Sequence, residues 1–381
     1  MIYLDYAATA PVRPEIAQLA HERLSEPLGN PSSLHRAGRR ARILMEQARE
    51  KCAELLHAKV EEIIFCSGAT EADNLAILGT LTHGDCRHLS LVSSLTEHAA
   101  VYETVHRQEM LGLEVDWLAV SETGTVNLED LHRRLRRGPA ALVSVMVVNN
   151  EIGTRQPVFE IGKLCREYGA LFHADGVQDP HTARELIKSK TVDLVSLSGH
   201  KMGGLHGGVL YVRQGIALNP QVVGGAQEDG RRAGTSEHLR AESFVLALQA
   251  TLSEDPRRYW EFQQVMKDRL GNLESAVGLG PEDPEQKAGH ISSWVFGGLP
   301  AEPLLVQLDM KGICASSGSA CSSHSVEPSR VVKAMGYSEE QARGLIRFSF
   351  GWQTGRDEVV QAADAMQEIA QRLMQKERKV R

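Results

Sequence analysis

No apolar run in the 381 residues approaches the roughly 20 needed to cross a bilayer, so no membrane-spanning segment is expected. The start, Met1-Ile2-Tyr3-Leu4-Asp5-Tyr6, has neither the basic nor the apolar region of a secretory leader, which makes a cytoplasmic location the expectation. A basic excess is also missing. With 42 Lys and Arg against 49 Asp and Glu, the net charge of −7 argues against a dedicated nucleic-acid binder. None of the six cysteines (Cys52, Cys66, Cys86, Cys165, Cys314 and Cys321) forms a C-x-x-C pair or shows zinc-like spacing, so no metal site is expected. A reducing compartment leaves all six as thiols. Internal repeats and low-complexity segments are absent too. What remains, 42% hydrophobic and 24% charged, is ordinary for a globular chain long enough for two domains.

The organisation reads as α/β. An amphipathic helix is predicted from about Ser33 to Leu56. Strand-like runs follow at Glu62–Phe65, His88–Val92, Val115–Val120, Ala141–Val148, Ala170–Phe172, Leu194–Leu197 and Val209–Val212. Helical runs such as Glu71–Leu81, Glu97–Met110 and Leu128–Leu135 fall between them. That alternation predicts a mostly parallel sheet covered by helices. After about residue 250 the texture changes. Helices are predicted at Leu239–Leu252, Arg257–Val277, Glu302–Met310 and from Asp357, with strands at His290–Phe296 and Leu345–Phe350. These read as a smaller α+β domain.

The chemistry concentrates where strand-like runs end in polar residues. Leu171-Phe172 leads into His173, Asp175 and Gln178, and Val192–Leu197 leads into Ser198, Gly199, His200 and Lys201. Two buried strands emptying into one crevice is where open α/β sheets place ligands. An amine, an acid and small polar residues there suit a carbonyl cofactor that needs a Schiff-base lysine, a partner for its ring nitrogen and a phosphate cradle. Ser67-Gly68-Ala69-Thr70-Glu71 follows a strand and opens a helix, which offers backbone N–H groups to an anion; an ordinary Thr cap would look the same. Asn150 is a neutral donor suited to a phenolic oxygen, and His98 opens a helix as a candidate ring-stacking proton carrier. Arg347, in a strand-like run, needs a partner; a substrate carboxylate and an internal ion pair both fit. Gly225-Ala226-Gln227-Glu228-Asp229-Gly230-Arg231 fails the nucleotide phosphate-loop pattern, because Arg231 and Arg232 stand where Lys and Ser/Thr are required.

Five cysteines read as small core residues. Cys321 differs. It lies in Ala315-Ser316-Ser317-Gly318-Ser319-Ala320-Cys321-Ser322-Ser323-His324-Ser325, a run too small and polar to pack a core. A thiol on such a loop reads as a nucleophile that reaches the cofactor.

These motifs, with Tyr3-Leu4-Asp5-Tyr6-Ala7-Ala8-Thr9, Gly29-Asn30-Pro31-Ser32-Ser33, Thr96-Glu97-His98, Asn149-Asn150-Glu151-Ile152-Gly153 and Arg232-Ala233-Gly234-Thr235, give the chain a strong resemblance to a known family. It resembles the cysteine desulfurases of the class V aminotransferase group, fold-type I enzymes of pyridoxal 5′-phosphate (PLP), over nearly its whole length. The loop around Cys321 is similar to that of the longer-loop subgroup of nitrogenase and iron–sulfur assembly. The resemblance implies a large domain over 13–256 with a seven-stranded sheet, and a small domain from 1–12 and 257–381. It implies Lys201 as the Schiff-base lysine, Asp175 on the ring nitrogen, His98 on the ring face, and Asn150 and Gln178 at the ring oxygen. Ala69, Thr70, Ser198, Gly199 and His200 would hold the phosphate, and Thr235 would reach the phosphate of the second subunit of a homodimer. Arg347, with Asn150, would hold the substrate, and Cys321 would carry sulfur from L-cysteine as a persulfide to a protein acceptor, with L-alanine released. The alternatives are a selenocysteine lyase, another class V enzyme, or a non-catalytic sulfur-transfer partner. The segment Met202-Gly203-Gly204-Leu205-His206-Gly207-Gly208 departs from the family's usual pattern after the lysine.

Overall fold

The computed structural model describes residues 1–82, 90–138, 140–318 and 327–380. Its strands are β1 (Ile2–Tyr3), β2 (Ile63–Cys66), β3 (Ser90–Ser94), β4 (Val115–Leu118), β5 (Ala140–Ser144), β6 (Leu171–Asp175), β7 (Leu194–Ser198), β8 (Gly208–Val212), β9 (Ala276–Gly278), β10 (Ile291–Phe296), β11 (Ile313–Cys314) and β12 (Leu345–Ser349). Strands β2 to β8 form one seven-stranded sheet in the order β2-β8-β7-β6-β5-β3-β4. All neighbours in it are parallel except the two pairs made by β8. The first helices are α1 (Pro14–Leu24), α2 (Arg36–Leu56), α3 (Ala69–Leu81) and α4 (Ala99–Met110).

Side chains alternate across a strand, and here the alternation sorts two cores. On one face Leu91, Leu142 and Leu194 pack with Ala72, Leu75 and Ala76 of α3. On the other face Val92, Val143, Phe172, Val195 and Leu197 join Met45 and Cys52 of α2 and Phe244 of the helix His238–Leu252. On the α3 face each strand changes character towards its C-terminal end: Leu91 to Ser93, Leu142 to Ser144, Leu171 to His173 and Asp175, Leu194 to Ser196 and Ser198. One edge of a buried surface is therefore polar while the rest is leucine.

A separate cluster joins Leu4 to Phe262, Trp294, Phe348 and Met366, around the antiparallel sheet β12-β10-β9. One expectation is corrected here. The helix predicted over Arg257–Val277 is a short 3₁₀ turn followed by Tyr259–Leu270, and Ala276–Gly278 is strand β9. Gly271 closes the helix, and β-branched Val277 is free to pair with Val295. Short helices at Val158–Tyr168 and Pro180–Lys188 were not foreseen. No helix among the described residues is long and apolar enough to cross a membrane.

Gly208 opens β8 against the turn before α3, so a Cβ there would sit 2.4 Å from the carbonyl carbon of Gly68. Gly208→Ala is expected to lose about 1–3 kcal/mol of stability, because backbone atoms cannot move aside cheaply. The urea-unfolding midpoint measures it; an unchanged midpoint would show that the two segments are not held together.

Candidate active site

The polar ends of β6 and β7 meet the start of α3. Asp175 closes β6 and is buried at 5% exposure, and its Oδ1 accepts from the Val177 N–H at 3.0 Å. Burial raises its pKa, while His98 and Lys201 oppose the shift. A carboxylate in that state favours a cation at its free face. Ser198 closes β7, and its hydroxyl is buried with no hydrogen-bond partner among the described residues. A buried hydroxyl is seldom left unsatisfied, so Ser198 has the character of a ligand donor. Beside it α3 begins at Ala69 and Thr70, with Gly68 as an extended N-cap whose Cβ position faces open space. The first N–H groups of a helix lack intrahelical partners and suit an anion.

Gly199–Lys201 form a 3₁₀ turn directly after β7. Lys201 Nζ donates to the carbonyls of Ala7 at 2.7 Å and Ala8 at 2.6 Å. His200 Nδ1 is 3.1 Å from Thr9 Oγ1, and its ring stacks on His206 with centroids 4.8 Å apart. Burial, aided by Lys201 and His206, pushes the His200 pKa down to about 4, so the ring is neutral. The unusual segment after Lys201 is a closed turn. Gly199 N donates to Gly207 O at 2.9 Å, and Arg13 Nε donates to Met202 O at 2.8 Å. Gly203 has φ +84°, and a Cβ there would meet Arg13 Cγ at 2.8 Å.

His98 caps α4, its Nδ1 accepting from the Ala100 N–H at 3.1 Å. That leaves Nε2 as the protonated nitrogen of a neutral ring. Burial lowers its pKa, with Lys201, Arg330 and Arg347 pushing the same way against Asp175. Gln178 Nε2 donates to Ala7 O at 3.1 Å. Asn150 is half-buried, and its carbonyl accepts from Arg347 Nη1 at 2.8 Å. Arg347 Nη2 pairs with Asp5 at 2.9 Å.

The structure therefore links these residues: His98 lies within electrostatic reach of Asp175, Lys201 and Arg347, the segment Ala7–Thr9 joins Lys201, Gln178 and His200, and Arg347 reaches the Asn150 backbone carbonyl. Thr235 stands apart: it is exposed and lines a small cavity with Ser67, Gly207 and Arg232. Cys321 lies outside the described residues. The flanks of its segment are anchored at the site. Ser316 exchanges backbone hydrogen bonds with Arg347 at 3.1 and 2.7 Å, and Ser329 Oγ donates to Glu151 Oε2 at 2.5 Å.

Some readings are corrected. His173 does not line the crevice. It is fully buried, with Nδ1 2.9 Å from Ser144 Oγ and Nε2 3.0 Å from Ser196 Oγ, and burial pushes its pKa down to about 3. It sits two residues back along β6 from Asp175, roughly 6.6 Å deeper in the sheet. Cys52, Cys66 and Cys165 are buried as expected, and burial raises each thiol, Cys52 to about 12. Cys314 is only half-buried, on β11 beside Tyr3, and Cys86 lies outside the described residues. Asp229, in the loop that failed the phosphate pattern, adopts a left-handed φ of 55°.

Three groups went unassigned. The segment Asp5–Thr9 touches Arg347, Lys201, Gln178 and His200. Buried Asp73 and Glu97 lie within electrostatic reach of Asp175, and burial holds both well above the usual carboxylate range. Arg330 donates to Glu97 O at 2.8 Å and lies 3.7 Å above the Tyr102 ring.

The family model of the class V aminotransferases matches residues 2–361. Cysteine desulfurase IscS of Dictyoglomus turgidum is 37% identical over 376 residues, 98% of this chain and 95% of that protein. Among solved structures, a NifS-like protein is 30% identical with a TM-score of 0.88, covering 97% of this chain and 99% of the other. SspA, solved in complex with cysteine, is 30% identical with a TM-score of 0.78 over 92% of this chain and 99% of that one. A match in sequence and in fold from end to end places this chain in the class V aminotransferase family, among the cysteine desulfurases.

Proposed function

We propose that the protein is a PLP-dependent cysteine desulfurase that takes sulfur from L-cysteine onto Cys321, releases L-alanine and passes the sulfur to a protein acceptor. The observation that carries this is the placement of Asp175 at the end of β6 and of Ser198, whose buried hydroxyl has no partner among the described residues, at the end of β7, with Lys201 in the turn that follows. That set fits PLP. Lys201 would hold it covalently, Asp175 would sit on the ring nitrogen, and His98 would lie against the ring. Asn150 and Gln178 would serve the ring oxygen. Ala69, Thr70, Ser198, Gly199 and His200 would take the phosphate, with Thr235 serving the second subunit of a homodimer. Once bound, the cofactor supplies an electron sink for the substrate carbon chain.

The protein groups do the rest. Arg347 orients the substrate carboxylate beside Asn150. The neutral His98 and Lys201 hold and move protons near the reacting carbons. The Cys321 thiolate attacks the substrate sulfur. The carbon–sulfur bond breaks, a sulfur–sulfur bond forms on Cys321, and protons delivered to the carbon fragment complete L-alanine. Anchoring of both flanks of the Cys321 segment beside Arg347 and Glu151 supports that reach. The buried, high-pKa thiols of Cys52, Cys66 and Cys165 are unsuited to the role. The cluster around Phe262, Trp294, Phe348 and Met366, which among the described buried residues takes only Leu4 from outside residues 257–381, supports a small domain from 1–12 and 257–381 beside a large one over 13–256. The cysteine in the SspA structure supports cysteine as the substrate.

Purified protein is expected to absorb in the visible as a cofactor-bound lysine and to form alanine from cysteine. Lys201→Ala should lose both, the first read by spectrum and the second by amino-acid analysis. A colourless wild-type protein would remove the reading. His98→Gln should slow desulfuration by about 10²–10⁴-fold with the cofactor retained, the usual contribution of a positioned acid–base group. The pH profile follows from the lowered His98 pKa. The neutral, working form persists as pH falls to 6.5, the ordinary histidine value, and is lost only below it. An acid limb centred above 6.5 would contradict the assignment.

A further inference from the structure

Arg347 is almost wholly buried on β12, with 2% of its side chain exposed, and its guanidinium already holds a carboxylate from this chain. Asp5 Oδ1 accepts from Nη2 at 2.9 Å, and the Asn150 carbonyl accepts from Nη1 at 2.8 Å. Nε is buried without a partner among the described residues. The backbone fixes Asp5 there. Ser349 N donates to Leu4 O at 2.8 Å, Tyr6 N donates to Ser349 O at 3.5 Å, and Ala7 N donates to Ser349 Oγ at 2.9 Å. Ser349 is two residues beyond Arg347 on the same strand. The Asp5 side chain keeps 21% exposure, so it lies at the open side of the arginine.

We propose that Asp5 is a resident stand-in for the substrate carboxylate, occupying Arg347 in the free protein and setting how tightly an incoming carboxylate is held. This rests on the reading of Arg347 as the carboxylate site. A buried arginine without a counter-ion is destabilised by its lost hydration, and Asp5 offsets that between turnovers. The guanidinium has five donors in a plane, so a second carboxylate can share it on the side where Asp5 stays partly exposed. Two carboxylates on one cation repel each other, so Asp5 weakens every anion that arrives. That makes Asp5 a specificity-determining residue that keeps the arginine from trapping carboxylates that lack further contacts in the site.

The test uses 3-mercaptopropionate, a thiol-bearing carboxylate without an amine, titrated calorimetrically into the full chain with and without bound cofactor. Asp5→Asn is expected to lower its dissociation constant about tenfold, the size of one released charge contact. Asp5→Glu, which keeps the charge, should bind within about threefold of the parent. Structural damage does not produce tighter binding, so the gain and its reversal by Asp5→Glu identify the electrostatic role. If Asp5→Asn does not fold, Asp5→Ala carries the same expectation. An unchanged or larger constant on removing the Asp5 charge overturns the proposal. Arg347→Gln should abolish binding in both forms of the protein. If it does not, the assignment of Arg347 as the carboxylate site is what fails.

Discussion

One constraint shapes the molecule: a single face of a buried parallel sheet must be leucine at one end and polar at the other. Leu142, Leu171 and Leu194 pack under α3, while Ser144, His173, Asp175, Ser196 and Ser198 continue the same rows towards the strand ends. Polar groups at that depth need partners. His173 finds Ser144 and Ser196 on the neighbouring strands. Asp175 finds the backbone N–H of Val177. Ser198 finds no partner among the described residues. The ladder of paired groups thus ends, at the rim, in Asp175 with a backbone N–H and in Ser198 with no partner among the described residues.

The second wall comes from the far end of the chain. The N-terminal segment runs beside β12, so its backbone reaches Lys201 and Gln178, its Thr9 hydroxyl reaches His200, and Asp5 reaches Arg347. The site is closed by contacts that join residue 5 to residue 347 and residue 7 to residue 201. Its geometry therefore depends on the folded whole rather than on one motif.

This explains what could be read from the residues. The α/β class, the seven strands, and Asp175 and Lys201 at strand ends were all legible, because runs of apolar residues and their polar ends are local patterns. The period-2 change from Leu to polar was also present. Counting back two residues from Asp175 would have put His173 inside the sheet rather than in the crevice. The helix at 257–277 was overextended because apolar spacing continued past Gly271, where pairing with β10 takes over. Asp5 carried no local signal at all, since its partner is 342 positions away. The same holds for Glu151, whose buried carboxyl is reached by Ser329. The roles at PLP and the sulfur chemistry of Cys321 came from resemblance, which the matches in family and fold bear out for the activity as a whole.

The proposed reaction requires that sulfur leave cysteine by way of one thiol, Cys321. The most direct measurement is mass spectrometry of the cofactor-loaded protein after brief exposure to L-cysteine, with peptides mapped under non-reducing conditions. The added mass of one sulfur atom is expected on the peptide bearing Cys321, removable by reductant and matched by alanine released before any acceptor is supplied. Alanine formation at full rate with no sulfur on Cys321, or sulfur on another cysteine instead, would contradict it.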